Sequence, residues 1–152
     1  MPATAQQLTS AQQKLVLPKR RPATGQFDVR INSQAEIYQT KTLQHDAQYA
    51  VYRVEGRQAD NATTIREILI QLPDTTRPAS IDLAKQDENG AQVWFSAKSP
   101  AGHFTVKCIQ GTLLIMTMSG SPLAIKGSLN ATTEKNTFGQ DFFVQVDLNL
   151  TS

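Results

Sequence analysis

From Gln26 onward this chain is built of short runs in which apolar and polar residues alternate one by one, and that alternation limits its fold more than any other feature. In residues 103–109, Phe104, Val106 and Cys108 alternate with His103, Thr105 and Lys107, and residues 142–150 alternate through Val144, Val146, Leu148 and Leu150. A period of two sends successive side chains to opposite faces of an extended backbone, the mark of a half-buried antiparallel strand. Such a pattern specifies a sheet with one wet face, and it specifies no reaction.

Turn signals punctuate these runs at strand-like spacing. Phe27, Val29 and Ile31 alternate before Asn32-Ser33. In residues 49–57, Tyr49, Val51 and Arg53 share one face and Ala50, Tyr52 and Val54 the other, so partial cover is expected on both. Residues 65–72 fit either period, Ile65, Ile68, Leu69 and Leu72 being helically spaced while Ile68, Ile70 and Leu72 suit a strand. Eight residues ending at Pro73 make a poor helix, so a strand is expected there.

Residues 81–83 and 92–97 flank Asp87-Glu88-Asn89-Gly90, which reads as a hairpin loop joining two adjacent strands. Gly111 divides the long run 104–118, implying one strand bent at a bulge or two strands meeting. A turn at Ser119-Gly120-Ser121-Pro122, a strand over 123–129, a loop over 130–139 and a last strand complete the chain. No βαβ pattern is present. The expected fold is all-β: an antiparallel β-sandwich, jelly-roll or Ig-like, or a flattened barrel, of about eight or nine strands.

At 152 residues the chain fits one domain able to bury a core without staples. Its charge is unevenly divided. Residues 1–26 hold Lys14, Lys19, Arg20 and Arg21 and no acid, whereas the remaining 11 basic and 13 acidic residues leave the body slightly acidic. Residues 1–25 therefore read as an N-terminal arm or linker, with a short helix from Thr9 or Ser10 and an extended stretch around Pro18 and Pro22. Residues 26–152 read as a single β domain.

Candidate chemistry is sparse. A lone cysteine, Cys108, rules out an internal disulfide and is expected to behave as a small core hydrophobe. His103 lies five residues from it, an odd spacing that puts the two on opposite faces of one strand. His45-Asp46 reads as a pair of turn residues, since neighbours in extended chain point apart. Asp82, Asp87 and Glu88 are explained by a turn, and Leu114, Met116 and Met118 by a core stripe. No phosphate-loop, nucleophile-elbow or metal-ligand spacing occurs, so no cofactor or metal is expected and an enzyme is disfavoured. A hydrolase built on scattered carboxylates ranks third.

Two features point to binding. The basic cluster Lys19, Arg20 and Arg21 could contact a protein partner or a second copy, with nucleic acid the minority reading. Trp94 and Phe95 are consecutive on one strand, so if Phe95 faces the core Trp94 is free for a sugar ring or a subunit interface. The preferred expectation is a non-enzymatic binding or assembly module acting through its arm, and the alternative is a small-ligand or carbohydrate-binding, lectin-like β-barrel. No run approaches the roughly 20 apolar residues of a membrane-spanning helix, and no secretory leader is evident. A soluble, cytoplasmic protein is the default expectation, with export by a non-classical route left open. N-x-[ST] triplets at Asn61, Asn130 and Asn149 read as accidental in a Thr-rich chain.

Overall fold

The computed structural model describes residues 22–59 and 63–152. The expected arm helix, the basic cluster Lys19, Arg20 and Arg21, and the triplet at Asn61 lie outside the described residues. The body is antiparallel β throughout: β1 (Thr24–Ile31), β2 (Gln34–Ile37), β3 (Thr40–Asp46), β4 (Val51–Ala59), β5 (Ile65–Pro73), β6 (Ala79–Asp82), β7 (Gln92–Ser99), β8 (Gly102–Gly120), β9 (Leu123–Thr133) and β10 (Phe143–Thr151). Strand β1 begins two residues before the Gln26 expected from composition. Residues 65–73 are a strand, as the short run ending in proline predicts.

The strands follow the order β2-β1-β10-β9-β8-β7-β5-β4-β3, with β6 beside the second half of β8. The sheet curls into a half-barrel. Pro22 bridges to Thr42 of β3, and the Ala23 amide donates to the Lys41 carbonyl at 2.8 Å, so the start of β1 closes onto β3. Strand β8 makes the curl possible. Its first half pairs with β7 and its second half with β9, and the register slips between Cys108 and Gln110 and again between Ile115 and Thr117. Gly111 sits just past the first slip at φ +117°, where a Cβ would overlap the Asn130 carbonyl oxygen. Only glycine combines that backbone with that closeness.

Inside the curl lies one apolar core. Val29 and Ile31 of β1, Leu43 of β3, Val54 of β4, Ile68, Ile70 and Leu72 of β5, Val93 and Phe95 of β7, and Val144, Val146 and Leu148 of β10 all point into it. Phe27 crosses from β1 to rest on β4, where a Cβ on Gly56 would overlap its ring. Asn32 and Ser33, both at positive φ, form the tight turn between β1 and β2, the conformation that a two-residue hairpin needs.

Three expectations are corrected. Asp87–Gly90 does not join paired strands: β6 pairs with β8, and residues 86–89 form a single helical turn that Gly90 ends at φ +74°. The left-handed glycine that reads as a hairpin residue is here a helix C-cap. Just upstream, the Asp82 carboxylate accepts from the Ala84 amide at 2.9 Å and starts a 3-10 turn that drops Leu83 into the core. Leu114 and Met116 are not core; they face outward and are exposed, and Met118 turns inward only because the second register slip lies between. Strand β9 runs on to Thr133, into residues that composition assigns to a loop.

Candidate binding surface

Strands β3, β4, β5, β7 and the first half of β8 alternate between the core and an outward face. Register fixes which outward residues are neighbours. One row runs Gln44, Arg53, Gln71, Gln92, and the next runs Thr42, Glu55, Leu69, Trp94, Lys107. Such a face is normally wet. On the opposite half of the barrel it is: Asp28, Arg30, Lys126, Asn130, Asp147 and Asn149 are all exposed.

The β3–β7 half is different. Arg53 is only 3% exposed, Glu55 6%, Leu69 4%, Gln71 2% and Trp94 9%, and Val51, Thr42 and Ser96 are buried with them. None of Val51, Leu69 or Trp94 belongs to the interior core, so they form a second buried layer on the other side of the sheet.

Arg53 is the polar centre of this layer. Its Nη1 donates to Gln71 Oε1 at 2.5 Å, its Nε lies 3.8 Å from Asp46 Oδ2, and its guanidinium sits 5.9 Å over the Tyr49 ring. Asp46 also accepts from the Gln48 amide at 3.1 Å, which anchors the turn that brings Tyr49 over Arg53. Burial pulls the Arg53 pKa down, opposed by the charges of Asp46, Tyr49 and Glu55. Among the described residues, Arg53 Nε and Nη2 and Arg57 Nε are buried with no hydrogen-bond acceptor. Two strands over, Lys107 Nζ lies 5.9 Å from the centre of the Trp94 ring, a cation–π arrangement on the same surface.

Phe95 faces the core, so Trp94 does face away from it, into this covered layer and not into open solvent. Cys108 is fully buried, and desolvation pushes its thiol up to about 12. His103 is exposed on the opposite face of the strand, which keeps the two apart. His45 pairs with Asp74 at 3.1 Å and packs at a tilt against the Tyr52 ring, while its neighbour Asp46 points to Arg53. Asp82 caps a turn, and Asp87 and Glu88 are exposed. Among the described residues no group of three His, Cys, Asp or Glu side chains is placed to hold a metal, and no helix is long and apolar enough to cross a membrane.

Sequence reasoning reads Arg53 and Leu69 only as strand residues, passes over Gln71, and assigns none of the three to a site. A signal for them exists. Ile68-Leu69-Ile70 is a continuous apolar run, the pattern of a strand buried on both faces, and it is this same run that makes residues 65–72 look helical.

A second feature is an aromatic recess beside β5, β7 and β8. Phe95, Phe104 and Phe142 pack with ring centroids 5.1 to 6.1 Å apart around a recess of about 290 Å³ rimmed by Arg66, Lys98 and Gln140. Arg66 reaches from this rim to the Glu36 carboxylate on β2.

No protein-family model, curated protein or solved structure matches this chain.

Proposed function

We propose that this chain is a non-enzymatic assembly module that associates with a second copy or a protein partner through its N-terminal arm. The observation that carries the reading is the contrast between the two halves of one barrel: outward residues of β1, β9 and β10 face water, whereas those of β4, β5 and β7 are buried. Trp94, Leu69 and Val51, beside an arginine hydrogen-bonded to Gln71, make the outward layer of these strands richer in apolar side chains than the wet half. Nothing in the barrel core requires that layer, because Leu43, Val54, Ile70 and Val93 already fill the interior side of the same strands. The arm's cluster of Lys19, Arg20 and Arg21 supplies the charge for partner contact.

Sedimentation equilibrium tests this. The full chain is expected to be heavier than one protomer, and residues 22–152 to fall back to one. A single-protomer mass for both forms would remove self-assembly. Nucleic acid as the arm's partner requires a strongly salt-dependent affinity that drops when Lys19, Arg20 and Arg21 become Ala.

The small-ligand alternative is favoured by one observation, the phenylalanine-lined recess, whose volume lies near the lower bound for a ligand pocket. Saturable binding of an apolar dye that is lost in Phe142→Asp would support it.

A further inference from the structure

We infer that the recess bounded by Phe95, Phe104 and Phe142 takes a small aromatic carboxylate, its ring against Phe104 and Phe142 and its charge at the edge formed by Lys98 and Gln140. This rests on the small-ligand reading of the recess and is independent of assembly; it adds the chemical class of the ligand and the groups that select it. Register puts the recess on the core side of its strands. Ala97 of β7 is the partner of Arg66 on β5 and of Phe104 on β8, and Ala97, Phe104 and Phe142 pack against the interior core beside Phe95. Phe95 is buried, whereas Phe104 and Phe142 are only half-buried and keep ring surface open to a ligand.

The aromatic wall is held in place from behind. Phe142 lies outside any strand, yet its amide donates to Thr133 Oγ1 at 3.0 Å and its carbonyl accepts from the Thr133 amide at 2.9 Å, and Thr133 is itself buried. Phe104 stacks on Phe142 with ring planes 10° apart, and Phe95 meets both rings edge-on. Beside them Gln140 is fixed by Asn136, whose Oδ1 accepts from the Phe138 amide at 2.9 Å and the Gln140 amide at 3.0 Å. A wall assembled in advance spares a ligand the cost of ordering it. Rings favour other rings through offset or edge-on contact. At about 290 Å³ the recess is at the small end of ligand clefts, which suits one ring with a short polar tail.

Charge sets the polar end of the ligand. Among the described residues the lining contains two cations, Arg66 and Lys98, and no acid. Arg66 is engaged with the Glu36 carboxylate, which offsets its charge. Lys98 is exposed and enters none of the ion pairs of the described residues, so the excess positive charge at the recess is its own. Gln140 uses Oε1 to accept from Asn136 Nδ2 at 3.4 Å, which leaves its Nε2 as the donor for a ligand oxygen. An ammonium and an amide N–H together suit a carboxylate; a ligand amine would meet like charge.

Phenylpropionate, phenylpropionamide and phenylpropylamine share one body and differ in charge, and saturation-transfer NMR titrations read their binding to the full chain. Phenylpropionate should bind saturably, the neutral amide about three- to five-fold more weakly, and the amine more weakly still. Lys98→Gln, a change at an exposed side chain, should bring the acid down to the affinity of the amide. Phe142→Ala should abolish binding of both, with far-UV circular dichroism confirming the fold; if that variant does not fold, Lys98→Gln carries the test alone. Equal affinity for all three compounds, or a preference for the acid that survives Lys98→Gln, would overturn the inference and leave an apolar recess standing. Acid binding that Phe142→Ala leaves untouched would place the ligand elsewhere and overturn it as well. Absence of binding by all three compounds and by an apolar dye would remove the inference together with the small-ligand reading, whatever mass sedimentation gives.

Discussion

Cys108 is the one thiol of the chain. Its thiol sits in the apolar core, and burial raises its pKa from 9.0 to about 12, so at neutral pH the nucleophilic thiolate is scarce and shielded. Ellman's reagent should label the native protein slowly and the urea-unfolded protein fast; rapid native labelling would contradict the burial. The same shift has a pH consequence. A group whose pKa is higher folded than unfolded favours the folded state fully below its unfolded pKa, and that contribution disappears as pH rises toward the folded value. Stability should therefore fall between about pH 9 and pH 12, and Cys108→Ala should flatten that limb relative to the parent. Gly56 makes a steric counterpart. Its missing side chain is the room for Phe27, so Gly56→Ala should cost about 1–3 kcal/mol in urea denaturation through overpacking, and a neutral result would mean that Phe27 packs elsewhere.

Strands β4, β5 and β7 have two buried faces, and their energetics differ from those of the half-wet strands. Removing one partner of a buried polar group leaves the others desolvated and unpaired. Arg53→Ala should accordingly destabilise the fold by about 3 kcal/mol. The double change Arg53→Met with Gln71→Leu should recover much of that loss, because an apolar pair needs no acceptors. Should Arg53→Ala leave the denaturation midpoint unmoved, the layer is not buried in solution. At this scale the sequence is readable where one face is wet. Residues 103–109 and 142–150 alternate cleanly because their outward partners meet water, and β5 is ambiguous because Leu69 is apolar on a face that alternation would make polar. The misplaced hairpin at Asp87–Gly90 has a different cause. Gly90 satisfies a left-handed position in either a turn or a helix cap, and the choice falls to Leu83, whose burial pulls residues 82–89 onto the barrel end and leaves β6 to pair with β8. No local residue type announces that long-range pairing.

For the whole molecule, an all-antiparallel β body is legible from alternation and turn spacing, and the layer on its outside is not. Which outward faces coincide depends on the register of five strands that meet only in the folded chain, and Arg53, Gln71 and Trp94 are far apart in sequence. The closure of Pro22 on Thr42 places the start of the β body at the very end of the basic segment, so a shortened chain that keeps the barrel closed begins at Pro22. Removing residues through Gly25 would strip Thr24 and Gly25 from their pairing with Thr151 and Leu150 and is expected to lower the unfolding temperature. The most direct test of arm-mediated assembly is energy transfer between two populations of the full chain, one carrying a donor and one an acceptor on the exposed Ser152→Cys position, where the buried Cys108 does not compete for label. Transfer that grows after mixing full chains and is absent between chains of residues 22–152 is the predicted result; full chains that show no transfer at micromolar concentration would contradict the account.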